Sequence, residues 1–163
     1  MNETAYFYCT APSRSISAPR LLGRKNIKKR ITVAVAWNAD ASLKPPLLFV
    51  GASLQPRCFR GKSTSKIGVD YSSTRKAWMT TELFQHWVAS FNERMHAENQ
   101  HVFLLLDNVS SHRLDAPLFN VTVQMLPPNT TSYLQRQDAG INRQFKLKIS
   151  KLQNRRVVER FDA

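Results

Sequence analysis

Apolar positions in this chain fall into a few short runs set between polar, Ser-, Thr- and Arg-rich segments. The first piece, Thr4 to Cys9, reads as extended, and a Ser-, Pro- and Arg-rich loop follows to Pro19. Ile31-Thr-Val-Ala-Val-Ala-Trp37 alternates large and small side chains, so the pattern predicts a strand with Ile31, Val33, Val35 and Trp37 on one face. After the polar, turn-like stretch Asn38 to Lys44, Leu47-Leu-Phe-Val50 predicts a second strand that ends at Gly51. The two strands make an antiparallel hairpin the natural local unit. Leu54 to Thr74 carries Gly61, Gly68 and many hydroxyl residues and reads as an irregular surface loop.

The period then changes. Thr80 or Thr81 can cap a helix with Glu82 in its first turn, and Leu83, Phe84, Trp87, Val88, Phe91 and Met95 recur at helical spacing. That helix should end between Ala97 and Gln100. Val102-Phe-Leu-Leu-Leu106 is a continuous apolar run, the pattern of a strand buried on both faces. Val121 to Leu126 predicts another strand, stopped by Pro127 and Pro128. Past Asp138, the residues Ile141, Phe145, Ile149 and Leu152 mark a helix with a basic outer face. Hairpin, helix, strand, strand, helix is an α/β order in which helices cover a sheet. The length suits one domain over residues 1–163, large enough to bury a core.

Charge changes this ordinary picture. Lys and Arg number 24 against 11 Asp and Glu, a formal net charge of +13. Such a surface attracts polyanions and binds them in a salt-dependent way. The basic residues cluster as Arg24, Lys25, Lys28, Lys29 and Arg30, and as Arg143, Lys146, Lys148, Lys151, Arg155 and Arg156. Each cluster alone suits a solvated face as well as a phosphate contact, and their sum favours DNA. Cys9 and Cys58 lie far apart and show no zinc-ligand spacing, so they read as reduced thiols. No apolar run is long enough to span a bilayer, and the first residues do not resemble a signal peptide.

Two carboxylates stand where chemistry is expected. Asp107 follows the buried strand directly, and Asp138 opens the last helix. In open α/β sheets ligands bind beyond the carboxyl ends of strands, and two carboxylates so placed could share a divalent metal. Turn formation by Asp107 and helix capping by Asp138 account equally well for their positions. Trp37, Trp78 and Trp87 read as core residues, with base stacking as the alternative. His86, His96 and His101 have no partner at ligand spacing.

Several segments carry a family resemblance. Asp107-Asn-Val-Ser-Ser-His112 follows a run of leucines, and Met125-Leu-Pro-Pro-Asn-Thr-Thr-Ser132 precedes Leu134-Gln135 and Asp138-x-Gly140-Ile141. Lys76-Ala-Trp-Met-Thr80, Asn38-Ala-Asp40 and Pro56-Arg-Cys-Phe59 add to them, in order and along nearly the whole chain. Together these resemble the catalytic core of DDE-type transposases of the pogo, Tigger and CENP-B-like group. The resemblance implies a ribonuclease-H-like mixed sheet flanked by helices. It further implies a nuclear DNA-binding protein and three acidic residues holding magnesium (or manganese) ions for attack on a phosphodiester. Asp107 and Asp138 fall on the second and third acidic positions, with Asn108 and His112 near them.

The first acidic position departs from that pattern. The family reads Met-Asp-Glu-Thr-Gly, and this chain reads Met1-Asn2-Glu3-Thr4-Ala5. Asn2 offers a neutral carbonyl in place of a bridging carboxylate. Glu3 should point to the opposite face of its strand, and a one-residue slip would turn that whole strand over. Arg136 and Gln137 replace the usual Pro and Leu, and Ala139 stands where Gln is common. Most of the family's first core strand would precede Asn2, and the helix-turn-helix modules that usually precede the core are not in the sequence. Three readings follow: a transposase-derived DNA-binding domain impaired in catalysis, an active magnesium-dependent endonuclease, and a non-enzymatic interaction module on the same fold.

Overall fold

The computed structural model of the chain describes residues 1–9, 28–38, 40, 42–127 and 140–161. They form two compact units, Ala5–Thr80 and Met1–Thr4 with Thr81–Ala163. Strand β1 (Asn2–Phe7) contributes residues to both. The chain is mixed α/β, with a four-stranded mixed sheet in the order β1-β2-β3-β4 and a two-stranded parallel pair, β5-β6.

In the Ala5–Thr80 unit the expected hairpin is present. β2 (Arg30–Val35) pairs antiparallel with β3 (Leu48–Gly51), with Thr32 opposite Val50 and Ala34 opposite Leu48. The polar turn between them is held by Asn38, whose Oδ1 accepts from Leu43 N at 2.9 Å. Thr32, Val33 and Ala34 are all buried, so both faces of β2 are covered mid-strand. The buried Thr32 hydroxyl is not orphaned, because Oγ1 donates to the Ala77 carbonyl at 2.6 Å.

The irregular loop expected over Leu54 to Thr74 is also corrected. It contains a 3-10 turn (Arg57–Phe59), a short helix α1 (Thr64–Ile67) and a strand β4 (Asp70–Ser73) parallel to β3. The sequence Asp-Tyr-Ser-Ser has no apolar alternation, since β4 is an exposed to half-buried strand at the edge of the sheet. Backbone bonds at its ends, from Asp70 N to Leu47 O and from Thr74 N to Gly51 O, extend the pairing. Tyr71 packs edge-on against Phe59 and lies directly over Gly51.

In the other unit α2 (Thr81–Ala97) buries Phe84, Val88, Phe91 and Met95, the expected stripe. Each such side chain contributes about 1.5–3 kcal/mol by leaving water. Asn99 at φ 52° closes the helix in the left-handed conformation, and Gln100 N bonds back to Met95 O at 2.8 Å. β5 (Val102–Leu106) pairs in parallel with β6 (Val121–Met125).

The reading of β5 as buried on both faces is corrected: Leu104 and Leu106 are buried, but Phe103 is 80% and Leu105 53% exposed. A continuous apolar run cannot say whether a second layer covers its far face, and among the described residues nothing covers Phe103. The last helix, α3 (Asn142–Phe161), runs further than its apolar spacing indicated. Its stripe is weak, with Phe145 and Ile149 half-buried and Leu152 exposed, and every residue from Lys151 to Arg160 faces solvent. No helix among the described residues is long and apolar enough to cross a membrane.

Candidate functional site

The end of β5 and the start of β1 place three ionisable side chains together. Leu106 ends β5, and Asp107 begins a loop that folds back on itself. Val109 N bonds Asp107 O, and His112 N bonds Val109 O, both at 3.0 Å. These two turns return His112 to Asp107. Across from them, Met1 N bonds the Leu105 carbonyl at 2.9 Å and holds the beginning of β1 beside β5. Glu3, the second residue of β1, is thereby brought to the imidazole.

His112 is buried to 1% exposure, with the Phe84 ring of α2 4.6 Å away between centroids. Its Nε2 donates to Glu3 Oε1 at 2.7 Å and its Nδ1 to the Asp107 carbonyl at 3.0 Å. An imidazole that donates from both nitrogens carries two protons and a positive charge. Burial works against that charge and is the largest single influence. The side chains of Asp107 and Glu3, the Asp107 carbonyl and the Glu3 charge together outweigh it, and the His112 pKa is pushed up to about 10. Asp107 Oδ1 also lies 3.0 Å from Nδ1, yet it is buried without a hydrogen-bond partner among the described residues. The one N–H of Nδ1 is aimed at the carbonyl, so Oδ1 meets the imidazolium as a charge contact only.

Of the residues singled out from the sequence, Glu3, Asp107 and His112 meet here, and Asn108 is exposed beside them. Asn2 is buried at 4% exposure. Strand alternation puts it on the face of Thr4, opposite Glu3. Thr4 lines a cavity of about 350 Å³ with Asn142, Arg143, Lys146, Leu147 and Ser150 from the first half of α3. Asp138, Arg24 and Lys25 lie outside the described residues. Lys28 and Lys29 are exposed, as are Arg143, Lys148, Lys151, Arg155 and Arg156, while Lys146 is half-buried. Trp78, expected in the core, is 56% exposed with the Arg30 guanidinium 4.6 Å from its ring centroid.

Sequence reasoning assigned His112 only a place near a metal site or a loop hydrogen bond. Its pairing with Glu3 spans the chain, and no local pattern encodes it. Among the described residues no three His, Cys, Asp or Glu side chains are placed to hold a metal ion. Both His112 nitrogens are engaged, Nε2 by Glu3 Oε1 and Nδ1 by the Asp107 carbonyl. The buried Asp107 Oδ1 is one suitable donor, and the described residues do not complete a set around it.

What fold and site define is a mixed α/β protein with a carboxylate–imidazole cluster beyond a strand end and a long basic helix at the end of the described chain. Residues 28–161 match the DDE superfamily endonuclease family, and the chain belongs to it. It is similar to Tigger transposable element-derived protein 4 of Mus musculus, 32% identical over 76% of this chain and 24% of that protein. CENP-B homolog protein 2 of Schizosaccharomyces pombe is 31% identical over 80% of this chain and 27% of its own length. Major centromere autoantigen B of Homo sapiens is 30% identical over 82% of this chain and 22% of its own. The chain therefore spans about a quarter of the length of these curated relatives. No solved structure matches it significantly.

Proposed function

We propose that this chain is a transposase-derived, ribonuclease-H-like domain that binds DNA in the nucleus through phosphate contacts and does not cut it. The observation that carries the binding is α3. From Lys151 to Arg160 all of its residues are exposed, and it presents Arg143, Lys148, Lys151, Arg155, Arg156 and Arg160 to solvent within a chain of net charge +13. Exposed cations along one helix meet a duplex by displacing its counterions, which gives affinity without base reading. One relative, ARS-binding protein 1 of Schizosaccharomyces pombe, 30% identical over 86% of this chain, carries a binding role in its name.

Loss of cutting is supported by two features. Asn2 puts a neutral side chain at the position where the family carries its first acid. Asp107 Oδ1 lies 3.0 Å from Nδ1 of the buried His112, and a protonated imidazole there opposes the approach of a dication. Magnesium or manganese chemistry by Asp107 and Asp138 is the corresponding active reading, and a nicking assay separates the two. The binding reading is tested by titrating two unrelated duplexes across a salt series. Affinity in or above the micromolar range of Kd, similar for both duplexes and falling with salt, is expected. A flat salt response would overturn it in favour of an interaction module on the same fold.

A further inference from the structure

Trp78 lies in the Lys76-Ala-Trp-Met-Thr80 segment, and nothing in the cluster around His112 or in α3 uses it. A tryptophan that is 56% exposed is unusual for so large an apolar ring. Its turn is firmly built. Trp78 N donates to Thr74 Oγ1, and that hydroxyl donates to the Trp78 carbonyl, both at 2.9 Å. Ala77 before it is buried at 1% exposure and takes φ 54°, a conformation an alanine adopts only when its surroundings impose it.

The guanidinium beside the ring is fixed by the same turn. Arg30 Nη2 donates to Thr32 Oγ1 at 2.7 Å, and Thr32 Oγ1 donates to the Ala77 carbonyl at 2.6 Å. One buried hydroxyl therefore links the cation to the turn that carries the ring. Arg30 covers one face at 4.6 Å from the centroid, so the exposure of Trp78 belongs to its other face and edges. Lys28 and Lys29 run up to Arg30, and Arg75 and Lys76 run up to Trp78, all four exposed.

We propose that Trp78, backed by Arg30, is a stacking platform for an unpaired nucleobase of DNA. The proposal rests on the DNA-binding reading and adds the form of DNA this face takes. An open aromatic face with a cationic rim meets both halves of a nucleotide, the base by stacking and the phosphate by charge. An acidic peptide would use the rim and leave the ring idle. A duplex cannot present a base face, because its bases are stacked on each other, so the occupant is a single-stranded segment. Preorganisation by Thr74 and Thr32 lowers the ordering cost on binding.

The test uses the full chain and three probes: a thymidine oligomer of about 15 nucleotides, an abasic deoxyribose-phosphate oligomer of equal length, and a duplex. The thymidine oligomer should bind about tenfold more tightly than the abasic one, the effect of a stacked base. Trp78→Ala should bring it down to the abasic level, and Trp78→Phe should keep most of the preference. Arg30→Lys, which leaves the ring in place, should reduce the preference in part, and thermal unfolding checks each fold. Duplex binding with no preference between the oligomers, or a Trp78→Ala chain that keeps the preference, overturns the platform alone. Equal competition by a polyglutamate peptide overturns it as well. Failure of all three DNA probes to bind overturns the DNA-binding reading together with it.

Discussion

Nε2 of His112 lies 2.7 Å from Oε1 of Glu3, although residues 4–111 separate them in the chain. The contact ties β1 to the loop after β5 through a buried charge. Replacing His112 with Gln should remove that charge while leaving the Glu3 and Asp107 carboxylates close together. Breaking one partner of a buried ion pair costs on the order of 3 kcal/mol. Denaturant unfolding should show a loss of that size for His112→Gln. A loss no larger than a surface substitution produces would mean that His112 is not charged in the folded chain.

The same pairing sets a pH dependence. The folded His112 pKa is about 10 and its ordinary value is 6.5, so the folded state holds the proton more tightly. The stabilisation is therefore complete below about 6.5 and is lost as pH rises through about 10. Unfolding midpoints measured from pH 6 to 10 should fall across that window. In His112→Gln the fall should be reduced, which separates this group from other titrations in the range.

Gly51 makes a third case. A Cβ on Gly51 would lie 2.3 Å from Tyr71 Oη and 3.0 Å from its Cζ, too close for the ring to stay where it is. Gly51→Ala should cost about 1–3 kcal/mol through overpacking. In a Tyr71→Ala background the same change should cost much less, so a double-mutant cycle by thermal unfolding should give a clear coupling term. Equal cost in both backgrounds would rule out the ring as the cause.

What could be read from the sequence follows the range of the forces involved. The β2–β3 hairpin, the stripe of α2 and the β5–β6 strands were legible because apolar periodicity records burial within one element. β4 was not, because Asp70–Ser73 is held by backbone bonds at a polar edge. Phe103 and Leu105 misled, since apolar residues in a run do not report what lies on them. Asp107 and His112 were legible as a segment, through family likeness. Their union with Glu3 was not, because it depends on how β1 meets the loop after β5. Trp78 reads as core with base stacking as the alternative, and the Thr74 and Thr32 hydrogen bonds that build its turn have no one-dimensional signature.

Catalysis gives the fourth prediction. With Asn2 neutral and Asp107 facing an imidazolium, supercoiled plasmid should stay intact with magnesium or manganese present. Asn2→Asp restores one negative charge and should raise divalent-metal affinity, seen as a larger metal-induced rise in unfolding temperature. Nicking by the unaltered chain that disappears in Asp107→Ala would reverse this conclusion.

The fifth prediction concerns α3. Lys148, Lys151 and Arg155 are exposed, and the one salt bridge they make among the described residues, from Arg155 to Glu159, is 3.7 Å long and on the surface. Such a pair adds little to stability, so changing all three to Gln should leave the unfolding temperature nearly unchanged. Their effect on DNA should be larger and of a specific kind. Each phosphate contact adds about 0.9 to the slope of log affinity against log salt on a duplex. If the three side chains meet three phosphates, the slope should become shallower by about 2.7. The loss should be the same on two unrelated duplexes, because phosphate contacts carry no sequence information. A triple variant whose slope is unchanged would place the DNA contact elsewhere, and Lys28, Lys29 and Arg30 would be the next residues to neutralise.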